Sequence, residues 1–250
     1  MISDKEFSNG FADFWTRSLP YLTLQLFAEL NAKGNVRLKG RRNWIKPMDA
    51  LNDSSTNDIV SEAAFELFSI ALNQGFAVQD IAQDKNQFDN IILRAIERTD
   101  NQRLKRGKAS QKVEDVPASE AIQLAIRLDH YFSNHPSERP IAIQPLFKGC
   151  GILDTCFGDI LTPGHLYELK MVDRNLRSTD IRQVLTYCTL NHFSGQYDIS
   201  NAVILNPRRG SEYTFNIEEL VSRTSGKTAP ELFQEIMEFL LDLESKHQDR

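Results

Sequence analysis

The spacing of apolar residues changes about halfway along the chain, and this change constrains the fold more than any other feature. Before residue 140, apolar residues recur at steps of three and four, as at Phe11, Phe14, Trp15 and Leu19, which is the spacing of one helix face. After the prolines of HPSERP, short runs of strand composition alternate with turn residues. This order predicts an α/β fold with a helical N-terminal region.

Five segments are expected from this pattern. They are a helical N-terminal region at 1–56, a first core helix at 57–75, a helical insertion at 76–140 with a flexible loop at 99–120, a core at 141–206, and a C-terminal strand and helix at 207–250. The loop is predicted because TDNQRLKRGKASQKVEDVPASE has almost no apolar residues.

The core segment divides further into strands and one helix. Strands are expected at 141–147, 151–161, 166–172 and 202–205, with a helix between the last two that begins near Ser178. Thr162-Pro163-Gly164 is a turn signal, so the strands on either side of it should run antiparallel. Counting the early buried helix first, the order is helix, three strands, helix, strand.

Composition limits the possible functions. A formal net charge of -5 argues against a protein that coats nucleic acid by bulk electrostatics. Local basic clusters exist, and each is interpreted either as solvated charge or as a nucleic-acid contact: Arg37, Lys39, Arg41 and Arg42; Arg103, Lys105, Arg106, Lys108 and Lys112; Arg174, Arg177 and Arg182. No apolar run reaches the roughly 20 residues of a membrane span, and no secretory signal is seen. We therefore expect a cytoplasmic protein with no membrane contact.

The residues most suggestive of chemistry lie on either side of the turn. Side chains alternate along a strand, so Glu168 and Lys170 project from one face. The turn brings the preceding strand alongside, which lets Asp159 approach Glu168. Asp154 is a rival for Asp159, but the odd spacing between them places it on the opposite strand face unless a bulge intervenes.

Two carboxylates and an ammonium suit phosphoryl chemistry. Mg²⁺ takes hard oxygen ligands and keeps several waters, and a lysine beside it can orient or deprotonate a water and stabilise developing negative charge. An acid and a lysine two residues apart also occur as a simple cross-strand ion pair, so the spacing alone leaves both interpretations open.

The helix after the strands adds a second polar group. Gln183 and Tyr187 are four residues apart and point away from the apolar face of that helix. They are either solvated, or Gln183 binds a site carboxylate, water or phosphate with Tyr187 packed behind it. Arg174, Arg177 and Arg182 lie where guanidinium groups could bind a nucleic-acid backbone, and Tyr187 is a further candidate for nucleic-acid binding.

Taken together, Gly158-Asp159, Glu168-Leu169-Lys170 and the QVLTY sequence that begins at Gln183 resemble the PD-(D/E)XK nuclease superfamily. The resemblance covers about 141–205, plus the helix at 58–73. It implies a restriction-endonuclease-like αβββαβ core. Residue by residue, it implies that Asp159 and Glu168 bind the metal, Lys170 is the catalytic lysine, and Gln183 with Tyr187 forms the helix motif of RecB-like members. No proline precedes Asp159, where Gly158 stands instead.

The resemblance also implies a function. The function implied by the resemblance is that of a metal-dependent deoxyribonuclease, which uses Mg²⁺ with Mn²⁺ as a substitute and hydrolyses DNA in restriction, antiphage defence or repair. A glutamate of the first helix reaches the metal in some members, which makes Glu62 or Glu66 a further candidate ligand. A homodimer, or a complex with a separate ATPase or helicase subunit, is expected. The alternative is a catalytically inactive nucleic-acid-binding or scaffold subunit that retains the fold.

Overall fold

The computed structural model describes residues 1–32, 41–49, 55–105, 107, 111–135 and 139–248. The predicted basic residues Arg37, Lys39, Arg106 and Lys108 and the side chain of Lys105 lie outside the described parts of the chain. Within these limits the protein is a mixed α/β fold built around a six-stranded, mostly antiparallel sheet.

Eight strands are present in the described chain. In chain order they are β1 (Arg42–Asn43), β2 (Ala142–Ile143), β3 (Leu146–Phe147), β4 (Cys156–Phe157), β5 (Ile160–Thr162), β6 (Gly164–Leu169), β7 (Ile199–Asn206) and β8 (Ser211–Asn216). The large sheet has the order β1-β8-β7-β6-β5-β2, and β3 pairs with β4 apart from it. Only β6 and β7 are parallel neighbours; the other strand pairs are antiparallel.

The helices of the described chain, also in order, are α1 (Asp4–Asn9), α2 (Ala12–Ser18), α3 (Leu24–Asn31), α4 (Asn57–Gln74), α5 (Val78–Gln83), α6 (Lys85–Lys105), α7 (Ala118–Ser133), α8 (Ser178–Ser194), α9 (Ile217–Ser225) and α10 (Ala229–Gln248). None of them combines the length and the hydropathy that a membrane-spanning helix requires. The helix α8 connects β6 to β7, as a parallel pair requires.

The two faces of the sheet are covered by different sets of helices. On the α8 face, which carries Leu166, Ala202 and Ile204, pack α1, α2, α3, α8, α9 and α10. On the α4 face, which carries Tyr167 and Val203, pack α4, α5, α6 and α7. Because adjacent residues of a strand point to opposite faces, β6 and β7 contribute alternate residues to the two cores.

The observed α/β fold confirms the predicted class, and the order of α4, the antiparallel strands β2, β5 and β6, α8 and β7 is compatible with the predicted succession of helix, three strands, helix and strand. The first two strands are shorter than predicted. The segment at 141–147 is interrupted at Gln144, whose φ of 50° is incompatible with a continuous strand, so it divides into β2 and β3. In 151–161 only Cys156–Phe157 and the start of β5 are extended strand.

The prediction of a flexible loop at 99–120 is partly wrong, because helices occupy both ends of this segment. The helix α6 continues to Lys105, a 3-10 turn spans Val113–Asp115, and α7 begins at Ala118. The end of α6 is held by Arg103, whose Nη1 donates to Asp58 Oδ1 at 2.6 Å and to the Ser55 carbonyl at 2.9 Å. The low apolar content of residues 99–105 wrongly indicated a loop, because the buried Arg103, rather than a hydrophobic stripe, attaches the last turn of α6 to α4.

Candidate active site

A tight turn brings Asp159 and Glu168 together. Pro163 connects β5 to β6, and Gly164, the first residue of β6, has a φ of 74°, a conformation that glycine adopts without strain. The register pairs Ile160 with Tyr167, so Asp159, the residue before β5, lies opposite Glu168. Its Oδ2 accepts a hydrogen bond from the Leu169 amide at 2.6 Å. The sequence prediction that these two carboxylates meet across the turn therefore agrees with the geometry.

The environment of Asp159 favours its protonated form. Desolvation and, next to it, the neighbouring carboxylate of Glu168 raise the pKa of this carboxyl to about 7, although the Leu169 amide, Lys170 and Lys5 oppose the rise. The two acids thus repel each other in a site with little water. A bound cation would relieve that repulsion.

Lys170 lies between three acceptors. Its Nζ donates to Glu168 Oε1 at 2.7 Å and to Gln183 Oε1 at 2.8 Å, and lies 3.8 Å from Asp180 Oδ1. Desolvation alone would lower the pKa of Lys170, but the carboxylates of Glu168 and Asp180 more than compensate, and the net pKa is raised. The lysine is therefore a protonated donor in this arrangement.

The helix α8 supplies Gln183 and Tyr187, and both are buried, so the expectation that Tyr187 binds nucleic acid is wrong because its ring lies in the core. Gln183 Nε2 donates to Tyr187 Oη at 2.9 Å and to Asp4 Oδ2 at 2.7 Å, and Tyr187 Oη donates to the same Asp4 oxygen at 2.6 Å. Burial, and then the carboxylates of Glu168 and Asp4, raise the pKa of the Tyr187 hydroxyl well above its ordinary range. Sequence reasoning missed Asp4, because it lies 179 residues from Gln183 and no local pattern marks it.

Asp180 is a second residue that sequence reasoning missed. Its buried carboxylate accepts two hydrogen bonds from Arg174, at 2.7 and 2.8 Å, and one from the Arg177 amide at 2.9 Å. An acid in the third position of a helix that begins at Ser178 is a capping signal, and it could have been read from the sequence. Ser178 is the first helical residue and Arg177 occupies the N-cap.

The three arginines predicted to bind nucleic acid have different surroundings. Arg174 is bound to Asp180, and Arg182 lies over the ring of Trp15 with its guanidinium carbon 5.8 Å from the ring centroid. Arg177 is exposed at the start of α8. Lys5 on α1 is exposed as well, and it is near enough to Asp159 to lower the pKa of that carboxyl.

The structure does not bring Glu62 to this site. Both glutamates of α4 form ion pairs with α6: Glu62 with Arg98 at 3.0 Å, and Glu66 with Arg94 at 2.5 Å and with Arg98 at 2.9 Å. Their helix packs on the α4 face, whereas Glu168 and Lys170 share the side of β6 on which Leu166 meets α8. The earlier expectation of a third carboxylate from the first core helix therefore receives no support.

Asp154 is also distinct from the cluster around Glu168. It is exposed, its backbone amide bonds to the Ile2 carbonyl at 2.9 Å, and its side chain accepts from the Thr155 amide at 2.8 Å. Asp159, by contrast, is directly opposite Glu168. Of the two aspartates weighed from the sequence, the geometry favours Asp159.

The donor set fits a hard divalent cation only in part. Asp159 and Glu168 offer carboxylate oxygens, the ligand type Mg²⁺ prefers, and the mutual repulsion of these acids is the electrostatic condition a cation relieves. In the described residues no group of three or more acidic, histidine or cysteine side chains has the arrangement of a metal site. Two carboxylates suffice where water and phosphate oxygens complete the coordination.

Comparison with known proteins adds no family to this geometry. No family model matches the sequence, and no curated protein matches it at a significant level. The assignment of a function therefore depends on the arrangement of Asp159, Glu168, Lys170 and Gln183 and on the resemblance of their sequence motif.

Proposed function

We propose that the protein is a metal-dependent nuclease that hydrolyses phosphodiester bonds of DNA, with a restriction-endonuclease-like core. The observation that carries the proposal is the convergence of two carboxylates, an ammonium and a buried amide around the end of β6. The succession of α4, the antiparallel strands β2, β5 and β6, the crossover α8 and the parallel strand β7 supports the proposed core.

A simple ion pair is a poorer explanation of this cluster. An ion pair with Lys170 needs one carboxylate, and Glu168 already fills that role at 2.7 Å. Asp159 adds a second acid whose ionisation is disfavoured by desolvation and by Glu168. Repelling carboxylates in a desolvated site destabilise the fold, and such sites are more often functional than structural.

In the proposed mechanism, Asp159 and Glu168 hold Mg²⁺, and Mn²⁺ substitutes for it. When bound, the metal supplies Lewis-acid polarisation of the phosphate and lowers the pKa of a water. Lys170 has three N–H groups, of which one donates to Glu168 and one to Gln183. The third, with Asp180 Oδ1 at 3.8 Å from the nitrogen, is proposed to donate to the nucleophilic water or the scissile phosphate. There the ammonium stabilises the negative charge that develops as the bond breaks.

Exposed cations close to this cluster support a polyanionic substrate. Lys5 is near Asp159, and the exposed Arg177 lies at the N-cap of α8. DNA is proposed as the substrate on the resemblance of the motif, within restriction, antiphage defence or repair. A homodimer, or a complex with an ATPase or helicase subunit, is part of the same proposal.

The proposal is tested by incubating the purified protein with supercoiled plasmid, linear duplex and single-stranded DNA, and RNA of matched length, in Mg²⁺, in Mn²⁺ and in EDTA. We expect divalent-ion-dependent cleavage of DNA that is lost in Glu168→Gln. Asp154→Asn is the matched control, because this exposed acid is outside the cluster, and it should retain activity. DNA binding without cleavage in any metal would favour the scaffold function instead, and cleavage of RNA alone would reassign the substrate.

A further inference from the structure

Asp4, on the first helix of the chain, is joined to the candidate active site by hydrogen bonds. We propose that Asp4 is a positioning residue: its carboxylate fixes the side-chain amide of Gln183 and thereby directs the ammonium of Lys170. This inference rests on the proposed nuclease function and adds to it a residue far from the core motif in sequence.

The contacts form one continuous chain of hydrogen bonds. Asp4 Oδ2 accepts from both Gln183 Nε2 and Tyr187 Oη, at 2.7 and 2.6 Å. At the other end of the same amide, Gln183 Oε1 accepts from Lys170 Nζ at 2.8 Å. Lys170 in turn donates to Glu168 Oε1 at 2.7 Å. A single amide thus separates the carboxylate of Asp4 from the ammonium of Lys170.

The charges at the two ends determine which way this amide faces. A reversed Gln183 would turn its oxygen toward the Asp4 carboxylate and its NH₂ group toward the Lys170 ammonium. Both contacts would then be repulsive, since neither partner could supply the complementary atom. With the observed orientation both ends are attractive, and the low exposure of Gln183 makes these bonds strong.

The fixed amide limits what Lys170 can do. With Gln183 always presenting an acceptor, the ammonium is drawn toward α8 as well as toward Glu168, and its third N–H has a defined direction. Without Asp4 the amide could rotate, and Lys170 would retain Glu168 as its close partner. A displacement of about 1 Å at a reacting group is enough to reduce the rate substantially.

Asp4 is itself held firmly in place. The helix α1 begins with a capping box in which Ser3 and Glu6 bond reciprocally, so Glu6 rather than Asp4 satisfies the helix start. One turn later Phe7 is fully buried, and its carbonyl accepts from Trp15 Nε1 at 3.0 Å. These anchors leave the Asp4 carboxylate free to face α8, against which α1 packs.

The test compares Asp4→Ala with Asp4→Asn, using Asp13→Asn on the exposed surface of α2 as a matched control. Groups that orient active-site residues typically contribute 10–100-fold, so we expect Asp4→Ala to lower kcat by about 10–100-fold with little change in KM. Asparagine keeps one oxygen that can accept both hydrogen bonds, so Asp4→Asn should recover most of the loss. Asp13→Asn should behave as the wild type. A wild-type kcat in Asp4→Ala would overturn the inference.

A double-mutant cycle distinguishes positioning from a general loss of structure. If Asp4 acts through Gln183, Asp4→Ala should have almost no further effect on kcat in a Gln183→Leu background. Full additivity of the two losses would contradict the inference, as would a kcat loss in Asp4→Ala that only parallels a lowered Tm.

A second readout does not depend on activity. The side-chain amide NMR signals of Gln183, assigned by their absence in Gln183→Leu, should be protected from exchange in the wild type and lose that protection in Asp4→Ala but not in Asp13→Asn. Unprotected signals in the wild type would overturn the inference. Protected signals in a protein that cleaves no nucleic acid would instead contradict the proposed function and leave the ordering of Gln183 by Asp4 established.

Discussion

The two faces of the central sheet both bring acids and bases together, but in different environments. On the α4 face, Glu62 and Glu66 pair with arginines of α6 at the surface, and the Arg98 side chain is 50% exposed. On the α8 face, Glu168 and Asp180 pair with Lys170 and Arg174, and the Glu168 side chain is 5% exposed. The Glu62–Arg98 pair is therefore partly solvated, with side chains 29% and 50% exposed, whereas the Glu168–Lys170 pair is desolvated, with side chains 5% and 16% exposed.

This difference indicates where chemistry can occur. Exposed ion pairs contribute little free energy, because water screens them. In the cluster on the α8 face, desolvation and the Glu168 carboxylate raise the pKa of Asp159 to about 7, and Tyr187 is held as a neutral donor. Of these two environments, the desolvated cluster on the α8 face is the one in which a cation or a phosphate is a better partner than water.

The largest expected effect is the difference in cleavage rate between variants of the acids on the two faces of the sheet. Asp159→Ala and Glu168→Ala should each abolish divalent-ion-dependent cleavage, a loss of at least about a thousandfold for groups that stabilise transition-state charge. Glu62→Gln, on the α4 face, should leave the rate and the Mg²⁺ dependence unchanged, because its partner is Arg98. Steady-state cleavage against Mg²⁺ concentration measures both. A large loss in Glu62→Gln would place the first core helix at the metal after all.

The next effect concerns the base of the cluster. Lys170→Ala should lower the single-turnover rate by about 10²–10⁴-fold, the range for a positioned proton-transfer or charge-stabilising group, while DNA affinity falls much less. Arg98→Ala is the matched change on the opposite face and should alter neither quantity. If Lys170→Ala weakens binding and leaves the single-turnover rate intact, the lysine is a phosphate anchor.

A smaller effect, on stability, is expected at the start of α8. Arg174→Ala removes both guanidinium hydrogen bonds from the buried Asp180 carboxylate, so the free energy of unfolding should fall by on the order of 2 kcal/mol. Chemical denaturation measures the change. The double variant with Asp180→Asn should recover part of the loss, since it no longer buries an uncompensated charge.

The variant Arg177→Ala should be compared with Arg174→Ala. The Arg177 side chain is exposed, so stability should be almost unchanged, but the slope of log K against log salt should decrease by up to about one if Arg177 contacts a phosphate. Binding measured in EDTA over a range of salt tests this. An unchanged slope would remove Arg177 from the proposed DNA surface.

The last expected effect is a pH dependence of stability. The folded protein binds the Asp159 proton more tightly than the unfolded chain does, so this residue's contribution to stability is lost as pH rises from about 4 to about 7 and then stays constant. The slope is at most about 1.4 kcal/mol per pH unit. The difference in unfolding free energy between wild type and Asp159→Asn isolates it. Mg²⁺ should reduce this pH dependence. A difference in unfolding free energy that does not change with pH would contradict the raised pKa of Asp159.

The sequence by itself determined the local parts of the site. Alternation along a strand put Glu168 and Lys170 on one side of β6, the Thr-Pro-Gly turn returned Asp159 to Glu168, and helical spacing put Gln183 beside Tyr187. All of these relations lie within about 30 residues. They follow from backbone periods of two and 3.6 and from turn chemistry, which do not depend on the rest of the chain.

Only the tertiary structure decided which distant residues join that site. Asp4 reaches Gln183, and Glu62 is directed to Arg98, because α1 packs on the α8 face and α4 on the other. Both helices have an apolar face that would pack on either side of the sheet, so their sequences alone do not select one. Docking depends on how whole apolar surfaces fit together, and that fit is a property of the complete core rather than of any single segment.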